Sequence, residues 1–249
     1  MINAGEGYSG LQSPTDFLNE FNAQNFLIWS ILSRIATATL VQVQEVTTTG
    51  GVAPVGFVNI LPLVNQMDGS GNTTPHGIIF NCPYLRMQGG ANAIILDPQV
   101  GDIGIAVFAS RDLSSVIASK AQAPPGSRRR YDMADGLYLG GVLNGVPTQF
   151  VEFSATGIRI SSPQQVKLDA PDVLLQSGST LEIDAATLSF TAPTVNLTAS
   201  SGLTLTTPLL TINGNIASTG TITNNGLPVD STHVHTGVTT GSGNTGTPL

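Results

Sequence analysis

Val166-Lys167-Leu168, Val173-Leu174-Leu175, Leu181-Glu182-Ile183, Leu188-Ser189-Phe190, Val195-Asn196-Leu197, Leu203-Thr204-Leu205 and Leu210-Thr211-Ile212 repeat one pattern, two apolar residues flanking a third. The first members of these pairs are 7, 8, 7, 7, 8 and 7 residues apart. A spacing near seven could signal a coiled coil, but Ala170-Pro171, Ser177-Gly178, Ala192-Pro193, Ser201-Gly202 and Thr207-Pro208 fall between the pairs. Prolines and i, i+2 apolar pairs exclude a continuous helix. What remains is a solenoid of very short strands, each turning two side chains inward and its polar residues outward.

One copy of such a solenoid encloses almost no core and presents an unpaired edge at every strand. Three chains wound together remove both defects, because each strand pairs with the other chains and three apolar faces meet in a dry interior. The reading is therefore a trimeric, prism-shaped β-helix. At about 4.7 Å per stacked strand, the seven pairs and the looser Ile216 and Ile222 segments make a shaft on the order of 40 Å long.

Composition agrees with a β-rich, weakly charged chain. Of 249 residues 41% are apolar and only 10% charged, against about 25% charged in an average soluble domain. Solubility then rests on Thr, Ser, Asn and Gly, and the apolar content excludes a disordered chain. Nine Lys and Arg against sixteen Asp and Glu give a formal charge of −7, which argues against a nucleic-acid coat or a binder of anionic membranes. Cys82 is the single cysteine. It excludes an intrachain disulfide framework or a Cys-rich zinc site and is expected to be a small buried apolar residue. No export or anchoring segment is expected, since Met1 to Glu6 lacks a basic stretch and the apolar run Phe26 to Leu32 is far below the roughly 18 residues of a span.

The amino-terminal segment, residues 1–36, is expected to be helical. Ser13 is placed to cap it, Pro14 and Asp16 suit its first turn, and Phe17, Leu18, Phe21, Ile28, Ile31, Leu32 and Ile35 recur at three- and four-residue intervals. So broad a stripe must pack either on the domain that follows or on copies of itself.

From Thr37 the period becomes two, and residues 37–142 are expected to form an OB-like, five-stranded Greek-key barrel. The expected strands are Leu40 to Val46, Phe57 to Val64, Ile78 to Phe80, Ala93 to Leu96 and Ile103 to Ala109, separated by glycine-bearing and Asp-Pro turns. Arg34, Arg86, Arg111 and Lys120 are dispersed and not interleaved with aromatic residues, so the barrel reads as a scaffold and not a nucleic-acid surface. Ala123-Pro124-Pro125-Gly126-Ser127-Arg128-Arg129-Arg130 is expected to be a linker within or at the edge of the barrel. Its triple arginine reads as solvated or as salt-bridging to nearby carboxylates, in preference to phosphate binding.

Residues 143–230 are assigned to the shaft and 231–249 to its apex. In an extended segment His233 and His235 face the same way. On a threefold axis six imidazoles converge, a donor set that suits an octahedral first-row ion, iron being a good candidate, better than four-coordinate zinc. His76, in Thr74-Pro75-His76-Gly77, has no such partner and is expected to be a loop histidine.

With its helical start, OB-like barrel, β-helix and closing His233-Val234-His235 followed by Gly241 to Leu249, the chain resembles the central spike proteins of contractile phage tails. These are related to the needle tips of R-type pyocins and type VI secretion systems. The run Val100 to Asp112 is similar to their barrel. The resemblance implies a homotrimer at the tip of the tail tube in the virion, joined to tube or baseplate hub proteins, with a metal-stabilised apex. It also implies passage through the Gram-negative outer membrane driven by sheath contraction. The lysozyme domain of some larger relatives has no room between Tyr131 and Val166, so cell-wall hydrolysis is not implied.

The alternative is a receptor-binding or polysaccharide-cleaving tailspike, which needs paired carboxylates in a cleft. Glu182 and Asp184 alternate with Leu181 and Ile183 and are expected to face solvent, and no nucleophile elbow, P-loop or dinucleotide fingerprint occurs. No catalytic residue is assigned. A baseplate hub without a piercing role ranks third.

Overall fold

The computed structural model describes residues 10–48, 50–229, 237 and 241. With 10% of the described residues in helix against 26% in strand, the chain is all-β in class. It divides into two units, Met1–Pro171 and Asp172–Leu249.

The first unit holds a five-stranded sheet made from β1 (Ala38–Val46), β2 (Phe57–Pro62), β3 (Ile79–Pro83), β4 (Ile103–Phe108) and β5 (Gly136–Gly141). Its order is β3-β2-β1-β4-β5 with each adjacent pair antiparallel. A parallel bridge between Tyr84, just past β3, and Tyr138 of β5 joins the two outer strands, and the Leu85 amide donates to the Tyr138 carbonyl at 2.8 Å. The sheet thus closes on itself, which leaves no long free edge.

Period-two alternation makes the core. Val41 and Val43 of β1, Val58 and Ile60 of β2, Cys82 and Tyr84, Ala106 and Phe108 of β4, and Tyr138 of β5 all point inward and are buried. Curvature comes from register shifts between Val43 and Glu45, between Val58 and Ile60, and between Ile105 and Ala106. At the first two, buried Asn59 is satisfied on both sides. Its amide nitrogen donates to Glu45, and its oxygen accepts from the Asn81 amide at 2.9 Å, with Asn81 at φ +58°.

Ala93 to Leu96 is not a barrel strand. It contributes to a small rim hairpin, residues 87–89 with 92–94, and the fifth strand is the glycine-rich Gly136–Gly141. Glycine is required there and opposite, because a methyl on Gly104 would overlap the Gly140 carbonyl and the ring and hydroxyl of Tyr138.

Helix α1 runs Glu20–Leu32, shorter than its apolar pattern. Its cap is Asn19, whose side chain accepts from the Asn22 amide at 2.9 Å. Ser13 instead hydrogen-bonds to Thr15 and Asp16 and closes a separate turn. No residue of α1 is buried. A second, short helix, α2, spans Ser114–Ser119.

Beyond the barrel, β6 (Phe150–Ser154) and β7 (Gly157–Ser161) form an antiparallel hairpin. Its turn places Gly157 at φ +137° and lets the Ser154 hydroxyl accept from the Thr156 amide. Between residues 162 and 222 the single chain forms no strand, so the expected β-helix is not built within one copy. The next pairing is a two-residue ladder, Thr223–Asn224 with Leu227–Pro228.

Candidate functional site

The repeated pairs are uncovered in the single chain. From Val166/Leu168 to Leu210/Ile212 all fourteen side chains are between 52% and 70% exposed, and every residue from 163 to 229 is exposed. Leaving a Leu, Ile, Val or Phe in water instead of burying it forgoes roughly 1.5–3 kcal/mol. Backbone amides and carbonyls in this stretch likewise lack a ladder, although strand-length apolar patterns are made for one. Glu182 and Asp184 lie exposed in the same stretch.

His233 and His235 lie outside the described residues. Among the described residues no group of three His, Cys, Asp or Glu side chains stands together. His76 is a half-buried loop histidine whose Nδ1 lies 3.2 Å from the Gln66 side-chain nitrogen. Cys82 is buried in the barrel, and burial pushes its thiol up to about 11, which leaves little nucleophilic thiolate at neutral pH.

The triple arginine divides in role. Arg129 bridges two carboxylates buried beneath it, Asp112 at 3.2 Å and Asp135 at 3.1 Å, so the 123–130 segment is pinned to the barrel and the salt-bridging reading describes it. Arg128 and Arg130 remain exposed. Asp112 is held down to about 2, first by hydrogen bonds from the Ser114 and Ser127 side chains and the Ser114 amide, with the Arg129 charge adding to them. Asp135 also accepts from the Leu113 amide at 3.1 Å.

Arg86, which the sequence left among dispersed cations, is instead a buried strut. It pairs with Asp97, donates to the Ala53 carbonyl at 2.7 Å, and shares Asp97 with the Tyr84 hydroxyl at 2.9 Å. These hydrogen bonds lower the Asp97 pKa, so Asp97 stays ionised and is unsuited to donate a catalytic proton. The network borders an open cavity of about 510 Å³ walled by Leu85, Met87, Ile94, Leu96 and Leu139. Arg86 Nε and the Tyr138 hydroxyl are buried without a hydrogen-bond partner among the described residues. Burial, and then the Asp102 charge, raise the Tyr138 pKa. Asp102, also in that wall, accepts from the Gln99 amide at 2.8 Å.

Comparison with protein-family models gives no match, and neither does comparison with curated proteins. Among the described residues no helix is long and apolar enough to cross a membrane.

Proposed function

We propose that the chain is the central spike of a contractile phage tail: a homotrimer at the baseplate tip that mechanically pierces the Gram-negative outer membrane when the sheath contracts. The observation that carries this reading is the exposed series of apolar pairs from Val166 to Ile212 in a stretch that forms no strand of its own. Such a stretch needs partners of matching period, and copies of the same chain supply it. Winding three copies buries fourteen side chains per chain and gives every strand a neighbour.

The barrel supports the same reading. Five antiparallel strands in the order β3-β2-β1-β4-β5 with a parallel closure fit an OB-type Greek key, and Arg86, Asp97, Asp112, Arg129 and Asp135 are engaged in internal ion pairs. The metal apex rests on sequence alone. His233 and His235 of three chains would supply six neutral nitrogens to one transition ion, iron by donor preference. Tail tube or hub proteins are the proposed partners, and α1 exposes Phe21, Leu27, Ile28, Trp29 and Ile31 as an apolar surface for one.

Native mass spectrometry with elemental analysis of the purified full chain tests assembly and metal together. The reading requires three chains and one metal ion per particle. A stable folded single chain refutes the spike assignment. A trimer that cleaves capsule or lipopolysaccharide replaces it with the tailspike alternative.

A further inference from the structure

The hairpin β6–β7 carries four apolar side chains on one face and none of its charges there. Val151 stands opposite Ile160, and Phe153 opposite Ile158. All four are exposed, Phe153 to 77%. On the other face Glu152 stands opposite Arg159, whose guanidinium lies 5.2 Å from the centre of the Phe150 ring. An isolated two-stranded hairpin with a bare apolar face is marginal in water.

Its sequence continues the series already described. Val151/Phe153 and Ile158/Ile160 are i, i+2 apolar pairs, and their first members precede Val166 by 15 and 8 residues, which makes the leading separations 7 and 8. The period of the shaft therefore begins fifteen residues before Val166, inside a segment whose pairing within the chain is fixed. A heterologous partner covering this face would have to match a period of seven to eight through nine consecutive pairs, whereas a second copy of the chain matches it automatically.

We propose that the β6–β7 hairpin is the registration element of the assembly: its Val151, Phe153, Ile158 and Ile160 face docks against the same face of the other copies as the first two layers of the shared core. This rests on the three-copy reading. The physical reason is that downstream pairs differ little from one another, so chains could slip by a whole repeat at small cost. A hairpin stitched within each chain occurs once per chain and cannot slip. A one-residue shift of either strand would turn Glu152 or Arg159 into the apolar layer, where an unpaired charge is costly.

The test uses the full chain with Phe153→Cys and, separately, Glu152→Cys, each treated with a maleimide under native conditions while native mass is recorded. Cys82 is buried in the barrel and supplies a low background, which the wild type measures. The proposal requires a trimer in which Glu152→Cys labels to completion while Phe153→Cys does not label. Val151→Cys, a smaller change on the same face, repeats the measurement if Phe153→Cys fails to fold. A trimer in which both positions label, or in which both are protected, overturns the proposal and leaves the three-copy reading standing. A wild-type chain that is monomeric overturns both.

Discussion

The guanidinium of Arg129 lies 3.2 Å from the Asp112 carboxylate, and this contact fastens the proline-rich 123–130 segment to the barrel. Asp112 is depressed to about 2 in the folded chain, against about 3.9 for a free aspartate. A depressed carboxylate contributes its stability above the unfolded value and loses it as pH falls through the folded one. Thermal melting should therefore show a loss of barrel stability between about pH 4 and pH 2. In Asp112→Asn that slope should be shallower, with a lower melting temperature at neutral pH. Arg129→Ala should speed proteolytic cleavage within 123–130, whereas Arg128→Ala should leave it unchanged.

Gly104 faces Tyr138 across the β4–β5 pair, and the tyrosine ring occupies the space a side chain would need. Gly104→Ala should destabilise the barrel by about 1–3 kcal/mol or more, since the clash involves the Gly140 backbone as well as the ring. A denaturant midpoint unchanged from wild type would refute this packing. Gly89→Ala, which meets nothing within 4 Å and has no positive φ, serves as the control.

The sequence announced some of this directly and concealed the rest. Val41, Val43, Val58 and Ile60 were legible because alternation in a half-buried strand is visible residue by residue. Gly136–Gly141 was not, because its glycines resemble a turn until Tyr138 is seen lying over Gly104. Ser13 and Pro14 were chemically suitable as a helix start, yet Asn19 takes the cap and the earlier residues close their own turn. Arg86 and Asp97 are eleven residues apart in an otherwise unremarkable run, and only the fold makes them a buried pair. Between Val166 and Ile212 the repeated apolar pattern is legible, but the single chain builds no β-helix from it, the core proposed for it lying between copies.

Leu205, the second member of the sixth repeated pair, would face inward in the proposed trimer. Leu205→Asp would place three carboxylates in one interior layer, at a cost on the order of several kcal/mol for each unpaired buried charge. The expected outcome is loss of the trimer by native mass. Thr204→Asp, one residue away on the outward face, should assemble normally. Equal behaviour of the two variants would refute the inward assignment.

The histidine pair should govern metal content without governing assembly. His233→Ala combined with His235→Ala is expected to abolish the proposed single metal ion per trimer and leave three chains associated, because the apolar layers of the proposed shaft would not depend on the apex. Protonated imidazole cannot ligate, so wild-type protein should begin to lose metal as pH falls toward or below about 6.5. Elemental analysis after desalting at stepped pH reads this out, and three ions per trimer would refute a shared six-nitrogen site.

The distribution of charge sets the final expectation, which concerns how the proposed tip would cross a membrane. From Leu168 to Leu249 the chain has no Lys or Arg, while Asp169, Asp172, Glu182, Asp184 and Asp230 give −5 per chain, hence −15 for three copies. A shaft of that sign gains no attraction to anionic lipopolysaccharide. From Ser231 to Leu249 the sequence has no Lys, Arg, Asp or Glu and is mostly Thr, Gly, Ser and Asn, which cost less to desolvate than ionised groups. In the proposed spike that charge distribution would suit entry under applied force instead of spontaneous insertion. Purified trimer added to lipopolysaccharide-bearing vesicles should release no entrapped dye. Release at low protein concentration, without a contracting sheath, would replace the mechanical reading with that of an autonomously membrane-active protein.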